Sequence, residues 1–230
     1  LGFIKKNAMK IDEAREYAET ISDLRDKEAV IFSITLAMNK VFNNSNDQKS
    51  CLKDWSQGSL DNIIFEPPTL VSGKQGVVFS GDVDSVSRKN YDVAYLDPPY
   101  TNGVLYDSCY HLNDSLVLWD KPKLDTSYAI PRPSRAVFRK NKKTAGKFYS
   151  KKSAVDDFKN LLGYFDAKRI ILSYSDAPRN ILKKDQLIEI SQAIGNLKII
   201  EREHKICSQN NKQKKISNKL KEFFFVIDKR

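Results

Sequence analysis

Tyr91-Asp92-Val93-Ala94-Tyr95-Leu96-Asp97-Pro98-Pro99-Tyr100 is a short apolar run closed by two consecutive prolines. Its length and its aliphatic and aromatic content predict a buried strand. Proline cannot donate to a ladder, and each proline pushes the residue before it into an extended conformation. The strand should therefore stop at Leu96, leaving Asp97 to Tyr100 as a stiff loop at its carboxyl end. Open α/β sheets place their ligands at that end. The loop offers a carboxylate, carbonyls freed from any ladder and an aromatic face. Such a set suits a flat ring bearing an exocyclic amine. The carboxylate and a carbonyl accept from the NH₂ while the tyrosine stacks on the ring.

The flanks extend the pattern on both sides. Val77-Val78-Phe79-Ser80 predicts a short strand closed by the Gly81-Asp82 turn. Behind the prolines come Tyr106 and the pair Tyr110-His111, and Ile170-Ile171-Leu172-Ser173-Tyr174-Ser175 predicts a strand running into a serine-rich turn. Together these features resemble amino-methyltransferases, and within them the Dam-like class of adenine-N6 DNA methyltransferases, from about residue 77 to 176.

The resemblance carries several implications. The fold is α/β, with a Rossmann-like methyltransferase sheet of order 3-2-1-4-5-7-6 and a helical subdomain. The cofactor is S-adenosyl-L-methionine and the partner double-stranded DNA. The reaction is methyl transfer to the N6 amine of an adenine flipped out of the duplex. Asp97, Pro98, Pro99 and Tyr100 form the catalytic loop. Asp97 and the Pro98 carbonyl accept the two amine hydrogens, and Tyr100 stacks on the base. Asp82, with Asp97, lies toward the cofactor. Two rivals share some of these features. Some RNA base methyltransferases carry the same tetrapeptide, and a non-catalytic DNA-binding remnant or subunit would keep the loop without the chemistry. Tyr110-His111 argues for DNA adenine. His111 itself stays outside the catalytic set, since this chemistry needs no histidine base.

One expected part is missing. The nine glycines never fall as Gly-x-Gly. In the class that loop follows the first strand and wraps the methionine part of the cofactor, because only glycine lets the backbone come so close. No acid for the ribose stands out either. The sheet is thus expected to lack its first strands, leaving a gap of about 10 Å between strands at 77–80 and 92–96 at the usual ~4.8 Å spacing. Either the chain is part of a longer protein, which is the favoured reading, or a second polypeptide supplies the strands.

The net charge of +10 is segregated. Residues 1–60 carry nine basic and nine acidic side chains, and 61–130 carry five and ten. Residues 131–152 carry nine basic and none acidic, with Phe138, Phe148 and Tyr149 interleaved. Charge with aromatics suits phosphate contacts and base stacking. Arg132, Arg135, Arg139, Lys140, Lys142 and Lys143 are the candidate DNA contacts, on a basic loop. The three cysteines are few and scattered, so neither a disulfide framework nor a metal site is expected. No apolar run approaches the ~20 residues of a membrane span, and a cytoplasmic setting follows for a DNA-modifying protein.

The remaining periodicities predict helices from Lys10 to about Leu24, from Lys27 to Phe42, at 112–119, at 153–165 and at 181–194. A helical turn is expected at 51–55. The second helix is apolar nearly all round, which predicts burial, packed on the sheet. Strands are expected at 169–174, from Leu197, and at 222–227. A paired antiparallel ending matches the class. Residues 1–70 form a helical part, the candidate target-recognition region, and 71–230 the C-terminal portion of the catalytic domain.

Overall fold

The computed structural model describes residues 2–44, 48, 51–86, 90–99, 109–121, 123–125, 132–133, 148, 151–178, 180–205 and 219–229. The chain divides into two compact units, one of Leu1–Lys74 with Leu105–Asn141, the other of Gln75–Val104 with Lys142–Arg230. The helical unit therefore takes in a segment from behind the proline loop as well as the start of the chain.

In the helical unit α1 spans Lys5–Glu19, α2 Leu24–Val41, the short α3 Gln57–Leu60 and α4 His111–Leu118. The turn foreseen at 51–55 lies instead at α3. α2 begins where Asp23 accepts from the backbone N–H groups of Arg25 and Asp26, satisfying two donors that have no partner inside the helix. Its burial differs from the expectation. Ile34, Ala37, Met38 and Val41 are buried with Ile11 and Leu116, whereas Leu24, Phe32 and Leu36 are exposed. The helix thus buries one stripe, and the partners of that stripe are helices of its own unit rather than the sheet.

Buried amides hold this unit together. Asn7 Nδ2 donates to the Asp61 carbonyl at 2.8 Å while its Oδ1 accepts from Ile63 N at 3.0 Å. Gln48 Oε1 accepts from Leu112 N at 2.9 Å and its Nε2 donates to Asn113 Oδ1 at 2.9 Å. Arg15, 2% exposed, donates to the Leu116 carbonyl at the end of α4. A cation there complements the helix dipole.

The second unit is built on a four-stranded sheet. β1 is Tyr91–Leu96, β4 Ala167–Ser175, β5 Gly195–Lys205 and β6 Lys219–Lys229. The two-residue strands β2 (Leu124–Asp125) and β3 (Arg132–Pro133) pair with each other in the helical unit. In the large sheet the order is β1-β4-β6-β5. β1 and β4 are parallel, and β6 runs antiparallel to both β4 and β5. Those four strands reproduce the 4-5-7-6 portion of the order implied by the resemblance, antiparallel ending included. The fold is α/β of the methyltransferase-like kind.

α5 (Ala154–Tyr164) and α6 (Lys184–Ile194) lie on one face of this sheet. Phe158, Leu161 and Leu162 of α5 and Leu187 and Ile190 of α6 bury against Ile170, Leu172 and Tyr174 of β4 and Phe223, Phe225 and Ile227 of β6. The alternation along β4 and β6 is what aims these residues at one face. Phe158 sits edge-on to Tyr174 at 5.8 Å and to Phe148 at 5.3 Å, geometries that favour aromatic pairs. α6 runs directly into β5 at Gly195, where a Cβ would lie 2.2 Å from the Asp228 carbonyl oxygen. Only glycine fits that approach.

One predicted strand is not formed. Residues 77–80 have no ladder, and Val77, Val78 and Phe79 are 78%, 93% and 60% exposed. In the expected order that segment is separated from β1 by two strands that do not occur among the described residues. With no neighbour to take its N–H and C=O groups, a four-residue segment has nothing to hold it as a strand. The expected gap is therefore replaced by an open edge. Among the described residues β1 pairs only with β4.

Candidate functional site

Asp97 stands where the parallel pair β1–β4 ends. The register matches Tyr95 with Ile171 and Leu96 with Leu172. Asp97 therefore follows on the sheet face that carries Ser173. Pro98 is buried and Pro99 half-buried, and residues 97–99 adopt no regular structure. The prolines stop the ladder as their chemistry requires, and the loop sits at the carboxyl end of the strand. Although the Asp97 side chain reaches solvent, surrounding protein atoms desolvate it, and Glu222 adds repulsion. Both raise its carboxyl above the usual carboxylate range.

Four further side chains gather at this end of the sheet. The register pairs Ser173 with Phe224 and Ser175 with Glu222. Ser173, 1% exposed, donates from Oγ to Glu222 Oε1 at 2.9 Å. Asn180 Nδ2 donates to the Ser175 carbonyl at 2.5 Å and to its Oγ at 3.1 Å. Asn180 is itself buried, and its Oδ1 has no hydrogen-bond partner among the described residues. Beyond Ser175 the chain is tied back to β6: Asp176 N donates to the Lys221 carbonyl and Lys221 N to Asp176 Oδ1. Ser173, Ser175 and Glu222 stand in strands legible from the sequence, but the antiparallel register that brings Glu222 to Asp97 is a tertiary fact. No local pattern announces it.

Asp82 is exposed and precedes a 3₁₀ turn, Val83–Ser85. Its carbonyl accepts from Ser85 N at 2.9 Å and from Ser85 Oγ at 2.6 Å. Its side chain makes no cap bond. Tyr100 and Tyr106 lie outside the described residues, as do Arg135, Arg139, Lys140, Lys142 and Lys143 of the basic loop. Of that loop, Arg132 contributes backbone to the β2–β3 pair, and Phe148 packs into the core of the sheet unit. His111 is 1% exposed at the start of α4, while Tyr110 is exposed. Among the described residues no group of three His, Cys, Asp or Glu is placed to hold a metal, and no helix is long and apolar enough to cross a membrane. A separate apolar cleft of about 290 Å³ lies in the helical unit between Tyr17, Val30, Ile34 and Phe65. Its one charged wall residue, Glu66, is paired with Lys40 at 2.8 Å.

Comparison with known proteins points the same way as the sheet order. No family model matches the chain, and no solved structure matches it. Three curated proteins do. Modification methylase LlaI of Lactococcus lactis subsp. lactis is 23% identical over 220 residues, 92% of this chain and 33% of its own length. Type II methyltransferase M.CviAII of Paramecium bursaria Chlorella virus 1 is 23% identical over 229 residues, 98% of this chain and 65% of its own. Type II methyltransferase M.FokI of Planomicrobium okeanokoites is 25% identical over 185 residues, 77% of this chain and 26% of its own. The chain thus spans between a quarter and two thirds of the length of these relatives. What it is similar to, along most of its length, is a modification methylase and two type II methyltransferases.

Proposed function

We propose that this chain carries the target-amine half of an adenine-N6 DNA methyltransferase. The observation that supports the reading best is the placement of Asp97-Pro98-Pro99, which closes the parallel edge strand of a β1-β4-β6-β5 sheet. At that point Asp97 and the Pro98 carbonyl accept the two hydrogens of the amine. Binding both hydrogens draws the nitrogen lone pair out of conjugation and aims it away from the ring. One N–H proton passes to the Asp97 carboxylate as the nitrogen gains its methyl group. Most of the rate enhancement is then orientation, with the carboxylate stabilising positive charge as it develops on nitrogen. Extruding the base costs a few kcal/mol. Stacking on Tyr100 returns roughly 1–3 kcal/mol of that.

The methyl donor in this reading is S-adenosylmethionine, but the described residues do not fit as its complete seat. A Cβ added at Gly73 or Gly76 meets nothing within 4 Å, and Gly81 lies against its own turn at Ser85. No two glycines of the chain stand as Gly-x-Gly, and Asp82 is exposed. The open edge of β1, with Val93 51% and Tyr95 58% exposed, is where strands bearing a glycine loop would join, from the same protein or from a second polypeptide. In this reading residues 1–70 belong to target recognition and the basic loop, 131–152, to phosphate contacts.

The test uses the whole protein and a substrate panel of duplex DNA, single-stranded DNA and RNA. N6-methyladenine is measured by nucleoside mass spectrometry. Duplex DNA should be the substrate, and Asp97→Ala should abolish the product while changing donor affinity far less. Tyr100→Phe should keep much of the activity and Tyr100→Ala should lose it. Methylation by Asp97→Ala at the wild-type rate would reduce the loop to a turn.

A further inference from the structure

The Asp97 loop is backed by a carboxylate from a strand far away in sequence. β6 runs antiparallel to β4, and its register sets Glu222 across from Ser175. Residues 222 and 224 of β6 and 173 and 175 of β4 share one sheet face, the face onto which Asp97 follows from Tyr95. On that face the Ser173 hydroxyl, fully enclosed, donates to Glu222 Oε1 at 2.9 Å. Enclosure shields the donor from water, and the bond orients the half-buried Glu222 carboxylate. From there the Glu222 carboxylate adds like-charge repulsion to Asp97, after the larger effect of desolvation.

Among the described residues few other charges on the surrounding elements offset it. Arg202 lies opposite Glu222 on β5, exposed, with its guanidinium donating to the Glu201 carbonyl. Lys221, next to Glu222, points to the other face, where its Nζ meets Glu201 at 3.4 Å. Asp176, behind β4, accepts from Lys221 N. Among the described residues neither carboxylate is ion-paired with a lysine or arginine.

We propose that Glu222, held by Ser173, is a positioning residue for Asp97, and that its fixed negative charge makes the Asp97 carboxylate a stronger acceptor for the amine hydrogens. The inference rests on the function proposed above. A stronger base takes the departing amine proton more readily, and a second negative charge favours positive charge on the nitrogen. Glu222 does not itself need to touch the base.

The test is a carbon-detected NMR titration of the Asp97 carboxyl in the 230-residue chain, with the resonance assigned by its loss in Asp97→Asn. The Asp97 midpoint should fall in Glu222→Gln, fall further in Glu222→Lys, and stay raised in Glu222→Asp. A midpoint unmoved by Glu222→Gln overturns the proposal. The unmodified protein gives a second reading that needs no variant. Raising salt from about 0.05 to 0.5 M shortens the Debye length severalfold, so repulsion, unlike desolvation, should fade and lower the midpoint. A midpoint indifferent to salt counts against the coupling even if the variants unfold. In the methylation assay on the whole protein, Glu222→Gln should lower kcat severalfold with KM for DNA unchanged. An unchanged kcat beside a lowered midpoint makes Glu222 a bystander and also overturns the role. The titration does not depend on catalysis, so a failed coupling is separable from a failed functional reading.

Discussion

The Tyr174 hydroxyl both donates to the Leu182 carbonyl at 3.2 Å and accepts from Leu182 N at 3.0 Å. Both residues are buried. One side chain thus closes the segment that leaves β4 and brings Asn180 onto Ser175. Tyr174→Phe leaves a buried N–H and a buried C=O without this partner, and should cost about 1–3 kcal/mol of stability. Urea unfolding should show the lower midpoint with an unchanged slope. A change under ~0.5 kcal/mol would mean that the loop finds other partners, with no pinning role for the tyrosine.

The missing glycine loop makes a separate prediction. Calorimetry on the isolated 230-residue chain should find weak or no binding of S-adenosylmethionine, because none of its nine glycines falls as the Gly-x-Gly that lets a backbone approach a ligand closely. Tight binding would show that another loop of this chain seats the donor. It would then have to be found among residues not assigned here to the cofactor.

Sequence reading reached the sheet more readily than the site. β1, β4 and β6 announce themselves by apolar runs, and α5 and α6 by helical periodicity. The two prolines identify the loop outright, because their effect on the backbone is local. What failed depended on partners. Val77 to Phe79 have a strand's composition, but composition does not supply a neighbouring strand. The apolarity of α2 suggested full burial, yet Leu24, Phe32 and Leu36 are exposed because only one stripe meets other helices. Glu222 and Ser173 were visible as members of strands. Their pairing depends on register across 49 residues of sequence, which no local periodicity encodes.

The basic loop is tested by salt. If residues 131–152 contact phosphates, neutralising Arg135, Arg139, Lys140, Lys142 and Lys143 should weaken DNA binding and flatten its salt dependence. Each lost phosphate contact should reduce the slope of log K against log salt by about 0.9. Fluorescence anisotropy with a labelled duplex across a salt series measures it. Weaker binding with an unchanged slope would point to lost structure, and no change in either would leave the loop a solvated surface.

Asp97 should also leave a mark on stability. Desolvation, and then Glu222, raise its carboxyl above the ordinary value of 3.8. As pH rises from below that value, the unfolded chain gives up this proton first while the folded chain still holds it. Folding therefore loses stability as pH climbs through the folded-state midpoint, and the deficit is complete above it. Asp97→Asn has no proton to lose and carries no charge to desolvate. The variant should match the wild type most closely at about pH 3.5 and gain on it up to about pH 7, since the titrating groups that do not feel Asp97 are shared and cancel. Urea midpoints of the two proteins across that range give the comparison. A difference that does not change with pH would mean that Asp97 is hydrated like a free carboxylate. The amide that gains stability is also expected to lose methylation, because it keeps one acceptor oxygen and gives up the charge that favours the developing cation. Higher stability with lower activity in one substitution is the pattern of a site held under electrostatic strain for its chemistry.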